Sequence, residues 1–178
     1  MMNIEVIIAG FGGQGILSMG RLVAYSGLME DRNVSWLPSY GPEMRGGTAN
    51  CGLIVSDEYI SSPILNSCNA LIVMNNPSLE KFESYVKPGG VIILDSILVN
   101  KKVSRTDVTV VEIPATNFGN EIGNKTYAGI ALLGVLISKT GIIKGKTFEE
   151  ALYAVLPKRK HHMIPDEMLM LQKGIEYK

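Results

Sequence analysis

The sequence predicts an α/β fold in a single domain over residues 1–178: a three-layer α/β/α, Rossmann-like arrangement on a mainly parallel sheet, with one antiparallel hairpin. Three observations carry that expectation. Short apolar, β-branched runs alternate with stretches of helical spacing, the pattern of strands covered by helices on both faces. Residues 70–95 read as a complete β-α-β unit, whose crossover is right-handed. The first apolar run stops abruptly at Gly10-Phe11-Gly12-Gly13-Gln14-Gly15, and helical spacing begins there.

In chain order, Ile4-Glu5-Val6-Ile7-Ile8-Ala9 is the first strand and residues 14–28 the first helix, with Ile16, Leu17, Met19, Leu22 and Val23 on or near one face. Residues 30–33 form the exit turn, and residues 33–38 the second strand. The segment from Ser39 to Asn50 has no usable period. Its glycines, its proline and Arg45 suit close approach to a ligand or to another chain, against the alternative of a plain surface excursion. Residues 51–56 read as a strand, Asp57-Glu58 as a turn, and residues 59–61 as an antiparallel return that completes a hairpin. Residues 70–74 form a buried strand. Asn76 then caps a helix opening on Pro77 and ending near Val86, because a proline at the first helical position lacks only an amide that would be unpaired anyway.

Lys87-Pro88-Gly89-Gly90 turns the chain into the strand 91–95, and 108–113 is the last clear strand, ended by Pro114. Residues 115–124 are polar and glycine-rich, consistent with a short helix and a loop. Residues 127–138 are apolar on almost every side, so that helix belongs in the core or in a subunit interface. Thr147 and Glu150 have capping-box spacing for a helix that Pro157 ends. Lys158-Arg159-Lys160-His161-His162 is a small basic patch, read as a solvated face or a contact for an acidic partner. As a metal site it is poor, because adjacent side chains point apart. An amphipathic helix over residues 165–175 closes the chain.

Composition narrows the function classes. The formal net charge is +0, so no global electrostatic pull toward nucleic acid or anionic membrane follows. Hydrophobic residues make up 46%, enough for a sizeable core. The apolar runs are too short to span a bilayer, and the expected location is cytoplasmic. The two cysteines, Cys51 and Cys68, fall short of the roughly four thiolates an iron–sulfur cluster needs and lack the paired spacing of a zinc site. They read as buried reduced thiols.

The glycine cluster is the candidate site. Gly10, Gly12 and Gly15 have the G-x-G-x-x-G spacing that brings a phosphate against a helix N-terminus, where a side chain would hold the anion away from the amides. The same glycines also serve tight strand-to-helix packing with no ligand. A dinucleotide would call for an acidic residue at the end of the second strand. Residues 33–38 end without one, and Glu30 and Asp31 precede that strand, which disfavours an NAD-dependent dehydrogenase. No serine–histidine or paired-carboxylate constellation is apparent, which favours a binding role or a subunit whose chemistry happens on a partner.

Taken together, Gly10-Phe11-Gly12-Gly13-Gln14-Gly15 and the run Trp36-Leu37-Pro38-Ser39-Tyr40-Gly41-Pro42-Glu43-Met44-Arg45-Gly46-Gly47-Thr48-Ala49 resemble the gamma subunits of the 2-oxoacid:ferredoxin oxidoreductases. The resemblance continues through Ser56-Asp57, Ser62-Pro63, Met74-Asn75 and Lys87-Pro88-Gly89-Gly90. It implies a subunit, not catalytic alone, of an enzyme that decarboxylates a 2-oxoacid on thiamine diphosphate. Such enzymes pass electrons through iron–sulfur clusters to ferredoxin and release an acyl-coenzyme A. The resemblance places thiamine diphosphate between alpha and beta partner subunits and the clusters in beta or a delta chain, and links the gamma chain to coenzyme A. Gly10, Gly12, Gly13, Gln14 and Gly15 are then expected to serve the coenzyme's phosphates, with Arg45 adding charge-assisted contacts. The substrate pocket lies on other chains, and the run 36–49 looks most like the 2-oxoglutarate type. Isolated, the chain is expected to cover its orphaned apolar surface as a homodimer. A reading from another class is an autonomous nucleotide-binding module that regulates or scaffolds a partner.

Overall fold

The computed structural model describes residues 1–39 and 48–178, so Arg45 lies outside the described residues. Among these, six strands form one sheet: β1 (Asn3–Phe11), β2 (Asn33–Ser39), β3 (Thr48–Ser56), β4 (Cys68–Val73), β5 (Val86–Asp95) and β6 (Thr109–Ile113). Their order across the sheet is β2-β3-β1-β4-β5-β6. β1, β4, β5 and β6 run parallel to one another, while β3 pairs antiparallel with both β1 and β2. The centre is where sequence and burial agree best. β1 buries Val6, Ile7, Ile8, Ala9 and Gly10 in succession, as a strand covered on both faces must. The edge strands β2 and β6 are only partly buried.

Six helices accompany the sheet: α1 (Ile16–Met29), α2 (Asn76–Phe82), α3 (Ala115–Glu121), α4 (Ala128–Thr140), α5 (Gly145–Val155) and α6 (Ile164–Glu176). The three layers are lopsided. One face carries the large core, in which Val6, Ile8, Leu53, Ile72 and Ile93 meet side chains of α1, α4, α5 and α6. The opposite face is covered by α2 and by Leu65, Val99 and Val103 from loops, packed on Ile7, Leu71, Val73 and Ile92. The apolar stretch ahead of Lys139 is settled as core. Every residue of α4 from Ala128 to Ile137 is buried, and α6 lies across it at Gly134 and Gly174, where a Cβ on either would strike the other helix's backbone.

Four expectations are corrected. The strand of residues 51–56 forms no hairpin with residues 59–61. Both edges of β3 are already taken by β1 and β2, the chain leaves through Asp57 and Glu58, and Tyr59 stands 88% exposed. The helix at residue 76 is capped by Asn75, whose side chain accepts from the Ser78 amide at 2.8 Å, so Pro77 comes second rather than first. Lys87-Pro88-Gly89-Gly90 is part of β5, at a register irregularity against β4. Gly89 supplies the positive φ of 78° there. The Thr147–Glu150 capping box does not form, because α5 already begins at Gly145.

Candidate functional site

After β1 the chain leaves through α1, which packs on the large core. After β4 it leaves through α2, on the opposite face. The carboxyl ends of the adjacent strands β1 and β4 therefore diverge, opening the crevice in which α/β sheets hold their ligands. The glycine turn forms one wall of it.

The turn is held by Gln14. Its amide donates to the Phe11 carbonyl at 3.3 Å, its Oε1 accepts from the Phe11 amide at 2.6 Å, and its Nε2 donates to the Met74 carbonyl at 3.1 Å. One side chain thus ties the ends of β1 and β4 together beneath the bend. Gly10 is a packing glycine, since a Cβ there would sit 2.5 Å from Gln14 Oε1 and 2.8 Å from Ile16 Cδ1. Gly13 and Gly15 differ in kind. They take φ of 91° and 80°, and a Cβ on either would meet open space, so backbone conformation selects glycine there. Gly15 is the N-cap of α1. It has no side chain to offer, and no acidic residue stands in the first turn, so the amides at the helix start receive no side-chain acceptor.

The turn borders a cleft of about 540 Å³, lined by Gly12, Gly13, Gln14 and Gly15, by Thr116, Lys125, Thr126 and Lys160, and by Met74, Leu98 and Ala128, while the first-turn residues Ile16, Leu17 and Ser18 line a separate pocket of about 270 Å³ beside it. Asp95, fully buried at the end of β5, accepts from the Thr116 hydroxyl at 2.6 Å and from its amide at 3.0 Å. Asn124 Oδ1 accepts from the Thr126 amide and hydroxyl, fixing the single turn that presents Lys125. Lys160 sits in the short helical turn after Pro157, its amide donating to the Pro157 carbonyl. Neither lysine has a carboxylate within ion-pairing distance among the described residues. Backbone of the glycine turn and two ammonium-bearing side chains line a common space, which suits anionic groups.

The structure thus brings Gly12, Gly13, Gln14 and Gly15 to the cleft and places Gly10 underneath it. Lys125 and Thr116 carry no local sequence signal for this cleft, and Lys160 carries only that of the basic patch. His161 is occupied elsewhere, its Nε2 at 2.9 Å from the Leu156 carbonyl. Cys51 lies in the large core and Cys68 in the small one, on opposite faces of the sheet, with burial pushing both thiols up to about 12. Protonated and separated by the sheet, they cannot share a metal cluster. No helix among the described residues is long and apolar enough to cross a membrane.

Residues 5–177 match the family described as pyruvate ferredoxin/flavodoxin oxidoreductase. The ketoisovalerate oxidoreductase subunit VorA of Methanothermobacter thermautotrophicus is 36% identical over 177 residues, which is 98% of this chain but 36% of that relative. This chain therefore spans about a third of that relative's length. The 2-oxoglutarate synthase subunit KorC of Methanocaldococcus jannaschii is 32% identical over 178 residues, covering 98% of this chain and 94% of the relative. Among solved structures, the gamma subunit of a keto/oxoacid ferredoxin oxidoreductase from Geobacter sulfurreducens superposes with a TM-score of 0.82 at 27% identity, over 98% of this chain and 97% of that one. A 2-oxoglutarate:ferredoxin oxidoreductase chain from Magnetococcus marinus shares the fold, with a TM-score of 0.88 at 20% identity over 31% of its length.

Proposed function

The chain belongs to the pyruvate ferredoxin/flavodoxin oxidoreductase family, and from that premise we propose that it is the gamma subunit of a multisubunit 2-oxoacid:ferredoxin oxidoreductase, contributing a coenzyme A site. The observation that carries the reading is the cleft at the divergence of β1 and β4, where the glycine turn, with Gly15 as the N-cap of α1, lines a common space with Lys125 and Lys160. Coenzyme A carries a pyrophosphate and a 3′-phosphate, and two cationic side chains opposite a helix N-terminus answer more than one anionic group. The cleft also fits the lack of an acidic residue at the end of β2, which a nicotinamide dinucleotide would require and coenzyme A does not.

Thiamine diphosphate and the iron–sulfur clusters, which supply decarboxylation and electron transfer when bound, belong to partner chains in this reading. Cys51 and Cys68 cannot hold a cluster, and the described residues include no group of three or more histidine, cysteine or acidic side chains placed to hold a metal. This chain's part is to hold phosphate and to dock on alpha, beta and delta partners through which ferredoxin is reduced. The 2-oxoacid is 2-oxoglutarate, favoured by the KorC relatives that this chain matches over nearly their full length. Gly12 and Gly13 carry the anion, Gly15 and Gln14 shape the bend, and Arg45, which lies outside the described residues, adds a charge.

Calorimetric titration of coenzyme A into the assembled enzyme tests this. Changing both Lys125 and Lys160 to alanine, two exposed side chains outside the core, lowers affinity about tenfold, roughly what loss of charge-assisted phosphate contacts implies. Unchanged affinity removes the site from this chain. Activity of the complex on a panel of 2-oxoacids tests the substrate.

A further inference from the structure

A second, narrower cavity of about 190 Å³ opens off the cleft, the two sharing Gln14, Gly15, Thr126 and Lys160. Its walls are mostly apolar, with Met19 and Leu22 from α1, Ile130 from α4, and Tyr127 and Met163 from the turns that precede α4 and α6. One acidic side chain interrupts them. Glu167 of α6 is only 8% exposed, and its Oε2 has no hydrogen-bond partner among the described residues. Lys160 is near enough to favour its ionised form, yet it makes no ion pair with Glu167 within 4.0 Å. Buried polar atoms in folded proteins are almost always paired, and an unpaired one in a cavity wall marks a place for a donor from outside the chain.

We propose that this cavity is a base subsite: it receives a flat nitrogen heterocycle bearing an exocyclic amine, whose N–H is donated to Glu167, while the phosphates of the same molecule rest at the glycine turn. The inference rests on the coenzyme A reading above, in which the heterocycle is adenine. Methionine thioethers and an aromatic ring pack well against such a face. Lys160, common to both cavities, stands where base and phosphate parts of the ligand meet.

The test uses the assembled enzyme, with coenzyme A and its 1,N6-ethenoadenine analogue, in which the exocyclic amine is closed into a ring. Wild type binds coenzyme A about tenfold more tightly than the analogue, the difference expected for one hydrogen bond to a buried acceptor. In Glu167→Leu that preference disappears through weaker coenzyme A binding alone. Glu167→Gln, which keeps an acceptor oxygen, retains part of the preference. Equal affinities in wild type overturn the subsite without recourse to a variant, as does a leucine variant that weakens both ligands alike. Failure of wild type to bind coenzyme A at all overturns the underlying reading, a result distinct from binding that ignores Glu167.

Discussion

Replacing Glu167 with glutamine removes a pH-dependent penalty from the fold. Burial raises this carboxyl from 4.5 to about 7, with Lys160 as the smaller opposing influence. A folded-state value above the unfolded one means that the native chain holds its proton more tightly. Stability is therefore unaffected below about pH 4.5, falls as the unfolded chain ionises between 4.5 and 7, and stays reduced above 7. The span between the two values, at 1.36 kcal/mol per pH unit, gives a full penalty of about 3 kcal/mol. Only Oε2 of the two carboxylate oxygens is fully shielded, so solvent screening discounts that figure to about 1–2 kcal/mol. Glutamine has nearly the same shape and stays neutral throughout. Urea denaturation of both proteins at constant ionic strength reads the difference directly. The variant's advantage is expected to be under about 1 kcal/mol at pH 5 and about 1–2 kcal/mol at pH 8.5. A constant difference across that range, or a wild type that gains on the variant as pH rises, refutes the placement of an unpaired carboxyl in this cavity.

Other predictions follow from particular contacts. Gly174→Ala drives a methyl into the α4 backbone at Ala131 and Gly134, and thermal unfolding should report a loss above 2 kcal/mol despite alanine's better helix propensity, while Gly145→Ala, with only Ile175 Cδ1 at 3.9 Å, should be near neutral or stabilising. Gln14→Ala cuts the link between the ends of β1 and β4 and leaves the Met74 carbonyl without that donor, a loss of about 1–3 kcal/mol by denaturant titration. The isolated chain should sediment as a homodimer, because Leu37 and Ile64 are exposed around an open groove beside β2. Leu37→Asp with Ile64→Asp should return it to a monomer, and a wild type already monomeric at high concentration rejects the idea.

The parts of the fold legible in the sequence were those written by local pattern. β1, the β4-α2-β5 unit and buried α4 follow from apolar runs and from the glycines and prolines that bound them. The partners of β3 were not legible, since pairing between β1 and β3 joins residues from 37 (Phe11 with Thr48) to 53 (Asn3 with Ser56) apart and no local signal distinguishes it from a hairpin. At Asn75 and Asn76 two good caps stand side by side, and tertiary burial of Asn75 decides between them. The site divides along the same line. The glycine turn announces itself through spacing, and Gly13 and Gly15 have the positive φ that explains their identity. Lys125, Lys160 and Glu167 come near the glycine turn only because α4 packs beside α1 and α6 packs on α4. Nothing in the spacing of residues 125, 160 and 167 relates them to residues 12–15. The basic patch offered a partial signal at Lys160, and burial of an acidic residue within an amphipathic helix is invisible until the helix is docked.

Hydrogen exchange of the assembled enzyme, with and without coenzyme A, bears most directly on the claim that this chain holds the coenzyme's phosphates on the amides of its glycine turn. The account predicts slower exchange centred on residues 12–18, accompanied by residues 125–127 and the turn around Lys160. Unchanged exchange across residues 12–18 while the complex is saturated with coenzyme A would contradict it.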